Sequence, residues 1–361
     1  KAISRGRSAR VGLVATNSIR GGSNRKVLER VAEHATLYNV WSDEPWINEG
    51  ASVRVSMICF AVQGDSASAH LSLNGEPTRT IHSDLTGGGA DLTSAQKLAA
   101  NSALCFQGSK FVGPFDVAPE TARDWLKASG NPNGQPNSDV LRPWFNGMDI
   151  TRRRTDRWVI DFGTDMRQEE AALYEAPFEH VRQHVKPYRE ANRERRGREI
   201  WWLHQRPRPE LRAAVAGISR YIVTPEVAKH RLFVFVEGSA VPCGSVYSIP
   251  RWDDETFGIL HSRIHELWAL RQGTSLEDRP RYTPTSTFET FPFPAGLEPN
   301  RDPSNFDNPY ADAVADAARD LNESRERWLN PPEWTERVPE VVDGYSDRVV
   351  AKPGCETKLA K

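Results

Sequence analysis

Cysteine and methionine are scarce in these 361 residues, four and three respectively. No apolar run approaches the ~18 residues that a membrane-spanning helix needs. Cys59, Cys105, Cys243 and Cys355 lie far apart with no C-x-x-C pair. That spacing excludes a zinc ribbon and argues against a disulfide scaffold in a chain of this size. An excess of charge of either sign is also missing: 47 Lys and Arg face 48 Asp and Glu, a formal net charge of −1. The first residues are basic without a following apolar core, so the pattern predicts no signal peptide. There is no P-loop, no G-x-S-x-G elbow and no G-x-G-x-x-G turn. What the chain does have is tryptophan, 11 of them, and many arginines, a combination suited to gripping planar or anionic partners.

Apolar spacing outlines the elements. Val11–Ala15 is a strand-length run, and Val27, Leu28, Val31 and Ala32 mark one helix face. Ala51–Val62 alternates before becoming fully apolar and reads as sheet. Trp41-Ser-Asp-Glu-Pro-Trp46 before it reads as an aromatic loop, and Leu71–Gly89 as loops and short strands. A helix is bracketed by Pro119 and Gly130, and Asn131–Ser138 follows as a loop. Arg157–Phe162, Ile200–His204, Arg220–Val223, Arg231–Val236 and Ser245–Ile249 read as strands. Phe178, Val181, Val185 and Tyr188 lie on one face of a helix running to Gly197. One long helix is predicted over Asp253–Gln272 and another over 310–329, with a loop-like tail after Pro331. Phe291-Pro-Phe-Pro294 can only be a connector.

Charge is unevenly spread. Residues 151–231 hold 18 Lys and Arg against 12 Asp and Glu, whereas residues 301–361 hold 9 against 13. The basic middle, interleaved with Trp158, Tyr188, Trp201 and Trp202, fits phosphate contacts on a nucleic acid. A solvated, salt-bridged helix fits it equally, because Glu190, Glu194 and Glu199 sit among the arginines. Several motifs look like chemistry and fail on context. Asn330-Pro-Pro-Glu333 carries Glu where an amino-methyltransferase needs an aromatic ring, and it follows a helix, so it reads as a helix stop. His261 and His265 have a zinc-compatible spacing but no third ligand, so packing or a phosphate contact is the better reading. Gly87-Gly88-Gly89 reads as a turn, and Glu356–Lys358 lies in a polar tail without a strand.

Taken together, many stretches resemble one family, the MmeI-like (type IIL/IIG) DNA adenine methyltransferases of single-chain restriction–modification systems. They are Gly12-Leu-Val-Ala-Thr-Asn-Ser-Ile19, Val140-Leu-Arg-Pro-Trp144, Trp158-Val-Ile-Asp-Phe-Gly163, Tyr174-Glu-Ala-Pro-Phe178, Trp201-Trp202, Lys229-His-Arg231, Phe257-Gly-Ile-Leu-His-Ser-Arg-Ile-His-Glu266, Phe288-Glu-Thr-Phe-Pro-Phe-Pro294 and Trp328-Leu-Asn-Pro-Pro332. The resemblance runs in order over nearly the whole chain. It implies an α/β fold: a partial Rossmann-like methyltransferase sheet over 1–115, an α/β target-recognition domain over 116–295, and a helical C-terminal segment with its tail over 296–361.

The same resemblance implies function. The parent would be an S-adenosylmethionine-dependent, site-specific methyltransferase that flips its target adenine from double-stranded DNA. The cofactor loop and the Asn-Pro-Pro-aromatic motif are expected upstream of Gly12, in an N-terminal part of the same protein. Lys1 therefore reads as the start of a fragment that is inactive alone, with no catalytic residue and no metal site of its own. Trp46, with Trp41 second, is expected to wall the flipped-base pocket. Arg220, Lys229, His230, Arg231 and Arg251 are expected to read bases, and Arg152, Arg153 and Arg154 to hold phosphates. A bacterial, cytoplasmic protein with no membrane association is expected. The alternatives are a non-catalytic DNA-binding specificity module and a phage-defence partner protein.

Overall fold

A computed structural model of the chain describes residues 9–48, 51–89, 91–128, 130–276 and 279–359. The backbone gathers into two compact units, neither of them one continuous length of chain. The first consists of residues 1–102, 227–230 and 263–292; the second of 103–226, 231–262 and 293–361. The α/β class expected from the sequence holds. Among the described residues no helix is long and apolar enough to cross a membrane.

The first unit is built on a five-stranded sheet in the order Arg10–Thr16, Ala51–Val62, Ala35–Asn48, Leu71–Leu73, Glu76–Thr78. The long strands pair antiparallel, and the one parallel step joins Asn39–Val40 to Ser72–Leu73. Alternation, shifted by one residue between Leu37 and Asn39, places Leu37, Val40 and Ile58 in the core, where Leu28 of the helix Lys26–Ala32 and Ile19 close over them. Each such burial contributes about 1.5–3 kcal/mol. The segment Trp41–Trp46 is not a loop but the interior of the 14-residue strand Ala35–Asn48. Register shifts at Leu37/Asn39 and Trp41/Glu44 absorb the irregular residues. Pro45 pairs with Arg54 on one side only, beyond the short parallel contact at residues 39–40, so its missing N–H costs no described ladder bond.

The rest of this unit is the helix Arg263–Gln272, the hairpin Thr274–Leu276/Arg279–Arg281, and buried Tyr282, Phe288 and Phe291. Asn101, itself buried, donates from Nδ2 to the carbonyls of Phe288 (2.9 Å) and Phe291 (2.7 Å), which fixes the Phe-Pro connector.

The second unit holds two four-stranded sheets. One runs Val234–Glu237, Arg220–Pro225, Val246–Ile249, Phe106–Gln107; the other Val241–Pro242, Leu141–Phe145, Trp158–Ile160, Asp116–Val117. Phe115, Leu141, Trp158, Val159, Ile160 and Phe162 are central to its larger core. The helix Pro119–Lys127 begins on its proline, and Gly130 beyond it has a φ of +104°.

Four expectations change here. The helix through Phe178 contains a π turn, Val181–Val185, just before Pro187. Widening that turn keeps the proline ring off the preceding carbonyls. The extra residue rotates Tyr188 outward while Val181 and Val185 stay fully buried. Ile200–His204 is a turn, not a strand: Leu203 N–H donates to the Ile200 carbonyl at 3.2 Å. The helix over Asp253–Gln272 is two helices, Asp254–His261 and Arg263–Gln272, separated by extended Ser262. The phase resets there, so Phe257 and Leu260 are buried but Ile264 and Leu267 are exposed. The tail, finally, forms a hairpin, Thr335–Val338 with Arg348–Ala351. Its turn returns Tyr345 Oη to the carbonyls of Ser138 (3.1 Å) and Leu141 (2.8 Å).

Candidate nucleic-acid interface

Thr224-Pro225 ends a strand, and the chain must turn before Val234 begins the next. Thr224 Oγ1 donates to the Leu232 carbonyl at 2.8 Å, and Arg231 Nη1 donates to Thr224 Oγ1 at 2.9 Å and to the Pro225 carbonyl at 2.5 Å. Arg231 is therefore a staple at the base of this turn, its guanidinium directed at local backbone. At the tip, Val227 bridges to Arg281 and Ala228 N–H donates to the Pro280 carbonyl at 3.2 Å. With the backbone held and Ala228 buried, Lys229 and His230 are left exposed. Arg279 and Arg281 are exposed on the strand that supports them. Four exposed cationic or ionisable side chains thus lie on two adjoining segments of the first unit. Arg279-Pro-Arg281 was missed in the sequence, although a Pro flanked by two arginines after Thr274–Leu276 could have been read as an edge strand.

Arg220 and Arg251 occupy a different kind of place. Both brace the start of the helix Asp254–His261. Arg220 lies over the Phe235 ring at 3.9 Å and donates to the Trp252 carbonyl and Asp254 Oδ1, each at 2.9 Å. Arg251 is 4% exposed; its Nε meets Asp253 Oδ2 at 2.8 Å, and its Nη1 donates to the carbonyls of Pro299 (3.0 Å) and Arg301 (2.5 Å). Asp253 in turn caps the helix through Thr256 N–H at 2.8 Å. A guanidinium so enclosed, with Nη2 also buried but without a hydrogen-bond partner, acts as a structural clamp in this conformation.

Arg152, Arg153 and Arg154 are brought together in the second unit, on a cleft of about 410 Å³ that Arg337 and Arg348 also line. The short helix Gly147–Thr151 sets their position through a capping box between Asn146 and Asp149. Arg153 is spent on Asn330 Oδ1 (3.0 Å) and the Val349 carbonyl (2.9 Å), and burial lowers its pKa. Arg154 donates to both Glu237 oxygens, at 2.7 and 2.6 Å, with its guanidinium over the Phe145 ring. Arg152 is exposed and has no side-chain partner among the described residues. Of the three, it is the one free to meet a phosphate.

Trp46 lies on the strand Ala35–Asn48, pairs in register with Val53, and is 43% exposed; Trp41 pairs with Met57 and is half-buried. A large ring held open on a rigid strand has the form a stacking wall needs. The histidines behave as packing groups. His261 Nε2 lies 2.9 Å from the Phe233 carbonyl, and His265 Nε2 lies 3.1 Å from Tyr282 Oη. Asn330 ends the helix Ala311–Leu329 and engages Arg153 and Glu326, the helix-stop role read from the sequence. Among the described residues no group of three or more His, Cys, Asp or Glu is placed to hold a metal ion.

A family model described as the MmeI target recognition domain matches residues 127–295. The type IIL restriction–modification enzyme MmeI, solved in complex with DNA, superposes with a TM-score of 0.68 at 21% identity, over 91% of this chain and 43% of that one. The chain therefore spans less than half the length of the MmeI chain. The type IIG restriction endonuclease BpuSI aligns over 86% of this chain and 42% of that one, with a TM-score of 0.31 at 11% identity. No curated protein matches the sequence. Residues 127–295 are thus similar to the MmeI target recognition domain, in a chain that shares the fold of the corresponding part of the MmeI enzyme.

Proposed function

We propose that this chain is the sequence-reading portion of a site-specific DNA methyltransferase of a bacterial, cytoplasmic restriction–modification system. The observation that carries the reading is the anchored tip Val227–His230, which presents Lys229 and His230 from within the span matched by the recognition-domain family. Lys suits the guanine edge in the major groove, and a tip fixed by backbone bonds loses little freedom on binding. Arg152 supplies a phosphate contact that sets register. The parent protein methylates adenine with S-adenosylmethionine, flipping the base against Trp46, with Trp41 the second candidate for that wall. The methyl-transferring groups and the cofactor site lie in an N-terminal part of the same protein, so this chain alone transfers no methyl group. On this reading the modules are 1–115, 116–295 and 296–361, the first two drawing on both compact units and the third lying within the second.

The test is selection of duplex DNA from a random pool by this chain across a salt series. An enriched short motif with affinity falling steeply in salt supports the reading. No binding at low salt overturns it. Titration with S-adenosylmethionine separates a fragment without the cofactor site, which gives no heat, from a chain that holds that site itself.

A further inference from the structure

The first unit contains a second cationic feature that the target-recognition reading does not use. A cleft of about 320 Å³ is lined by Asn17, Ser18 and Arg20 from the turn after the first strand, by Asp43 and Arg54 from the long hairpin, and by Arg271 at the end of its helix. Close packing of that turn forms one wall: a Cβ on Gly21 would come within 3.1 Å of the Gly273 carbonyl.

The two aspartates are already committed. Asp43 Oδ1 accepts from Arg54 Nε at 2.5 Å and Asn17 Nδ2 at 2.8 Å. Asp84 is buried, and its Oδ1 accepts from the N–H and hydroxyl of Thr86, at 3.1 and 2.6 Å. Arg20 and Arg271 are not so well supplied. Arg20 makes one side-chain bond, Nε to the Asp84 carbonyl at 3.2 Å, so its two terminal nitrogens have no partner among the described residues. Burial lowers its pKa, ahead of the opposing pull of Asp43 and Asp84. Arg271 reaches Thr86 Oγ1 at 2.9 Å through Nη2, while its buried Nε has no acceptor, and Asp84 Oδ2 stands 3.8 Å away.

We infer that this cleft binds a phosphate of the DNA backbone, Arg20 and Arg271 supplying the donors. Two guanidiniums approaching from separate elements match the several oxygens of a phosphodiester better than a single planar carboxylate. Asp43 precedes Trp46 by three residues on one strand, roughly 10 Å of extended chain. The cleft and the proposed base wall thus fall within the span of neighbouring nucleotides. The inference rests on the proposed function, because it takes duplex DNA as the partner.

The experiment compares the wild-type chain with Arg20→Gln and Arg271→Gln on the duplex enriched by selection, reading affinity against salt. The slope of log K against log [salt] is expected to become shallower by about 0.9 for each lost phosphate contact. Affinity should fall alike for all sequences, with the preferred motif unchanged. Arg20→Lys should keep the slope. Folded variants with wild-type slope and affinity overturn the inference while leaving the proposed function standing. Failure of the wild-type chain to bind any duplex overturns the proposed function, and this inference with it. If Arg20→Gln does not fold, Arg271→Gln decides alone. A cleft that binds only free inorganic phosphate, seen as a raised unfolding midpoint without a change of slope in the variants, also overturns it.

Discussion

Lys229 and Arg251 are both cations near a strand end, and the structure separates them by what surrounds each. Lys229 stands exposed on a tip whose backbone is bonded elsewhere, so removing its side chain should leave the fold intact. Lys229→Ala is expected to relax preference at one base pair by about 1–3 kcal/mol, measured by competition among single-substitution duplexes. A loss equal across all competitors would place Lys229 on the backbone instead. Arg251→Ala should behave in the opposite way. It leaves Asp253 buried without its partner and two carbonyls, Pro299 and Arg301, without a donor. Breaking such a pair costs about 3–5 kcal/mol, which urea titration should register as a lowered midpoint. A variant of unchanged stability would refute the clamp. The sequence could show that Arg251 follows a strand and precedes Asp253; it could not show that residues 299 and 301, some fifty positions on, fold over it.

Helices bounded by their own signals were legible in the sequence, whereas elements set by distant neighbours were not. Pro119 and Gly130 mark the helix Pro119–Lys127, and the helix Ala311–Leu329 ends where Asn330-Pro-Pro begins. Trp41–Trp46 misled because Ser, Asp, Glu and Pro favour turns locally; only pairing with Val53–Met57 across a register shift makes the segment a strand. Ser262 misled in reverse, since apolar spacing continues through a break that nothing local announces. One element contact has a sharp consequence. In the helix Asp254–His261, a Cβ on Gly258 would lie 2.8 Å from Val314 Cγ1 and 3.0 Å from the Val314 carbonyl of the helix Ala311–Leu329. Gly258→Ala should therefore destabilise by about 1–3 kcal/mol despite the better helix propensity of alanine. A rise in thermal midpoint would mean the two helices separate without cost.

At the scale of the whole molecule, acid should unfold it. His180, His204 and His261 all have pKa values held below the usual 6.5, burial being the first cause in each. For His204, contact with Asp161 opposes burial without reversing it. A depressed pKa means the folded chain binds fewer protons than the unfolded one, so this stability is complete above about pH 6.5 and is lost as pH falls below it. The thermal midpoint should drop between pH 7.5 and 5.5, and His204→Gln should make that drop shallower. A midpoint that holds or rises on acidification would contradict the assignment. The division of the chain into two interleaved units has a different kind of consequence, for inheritance. Because residues 227–230 and 263–292 fold with the N-terminal stretch, a recombination event that exchanged only codons 116–295 would import pieces of both units at once. If those residues carry the proposed recognition, new specificity would then arrive with foreign residues packed inside the N-terminal unit, and most such hybrid genes would be eliminated for misfolding before selection could act on the sequence they read.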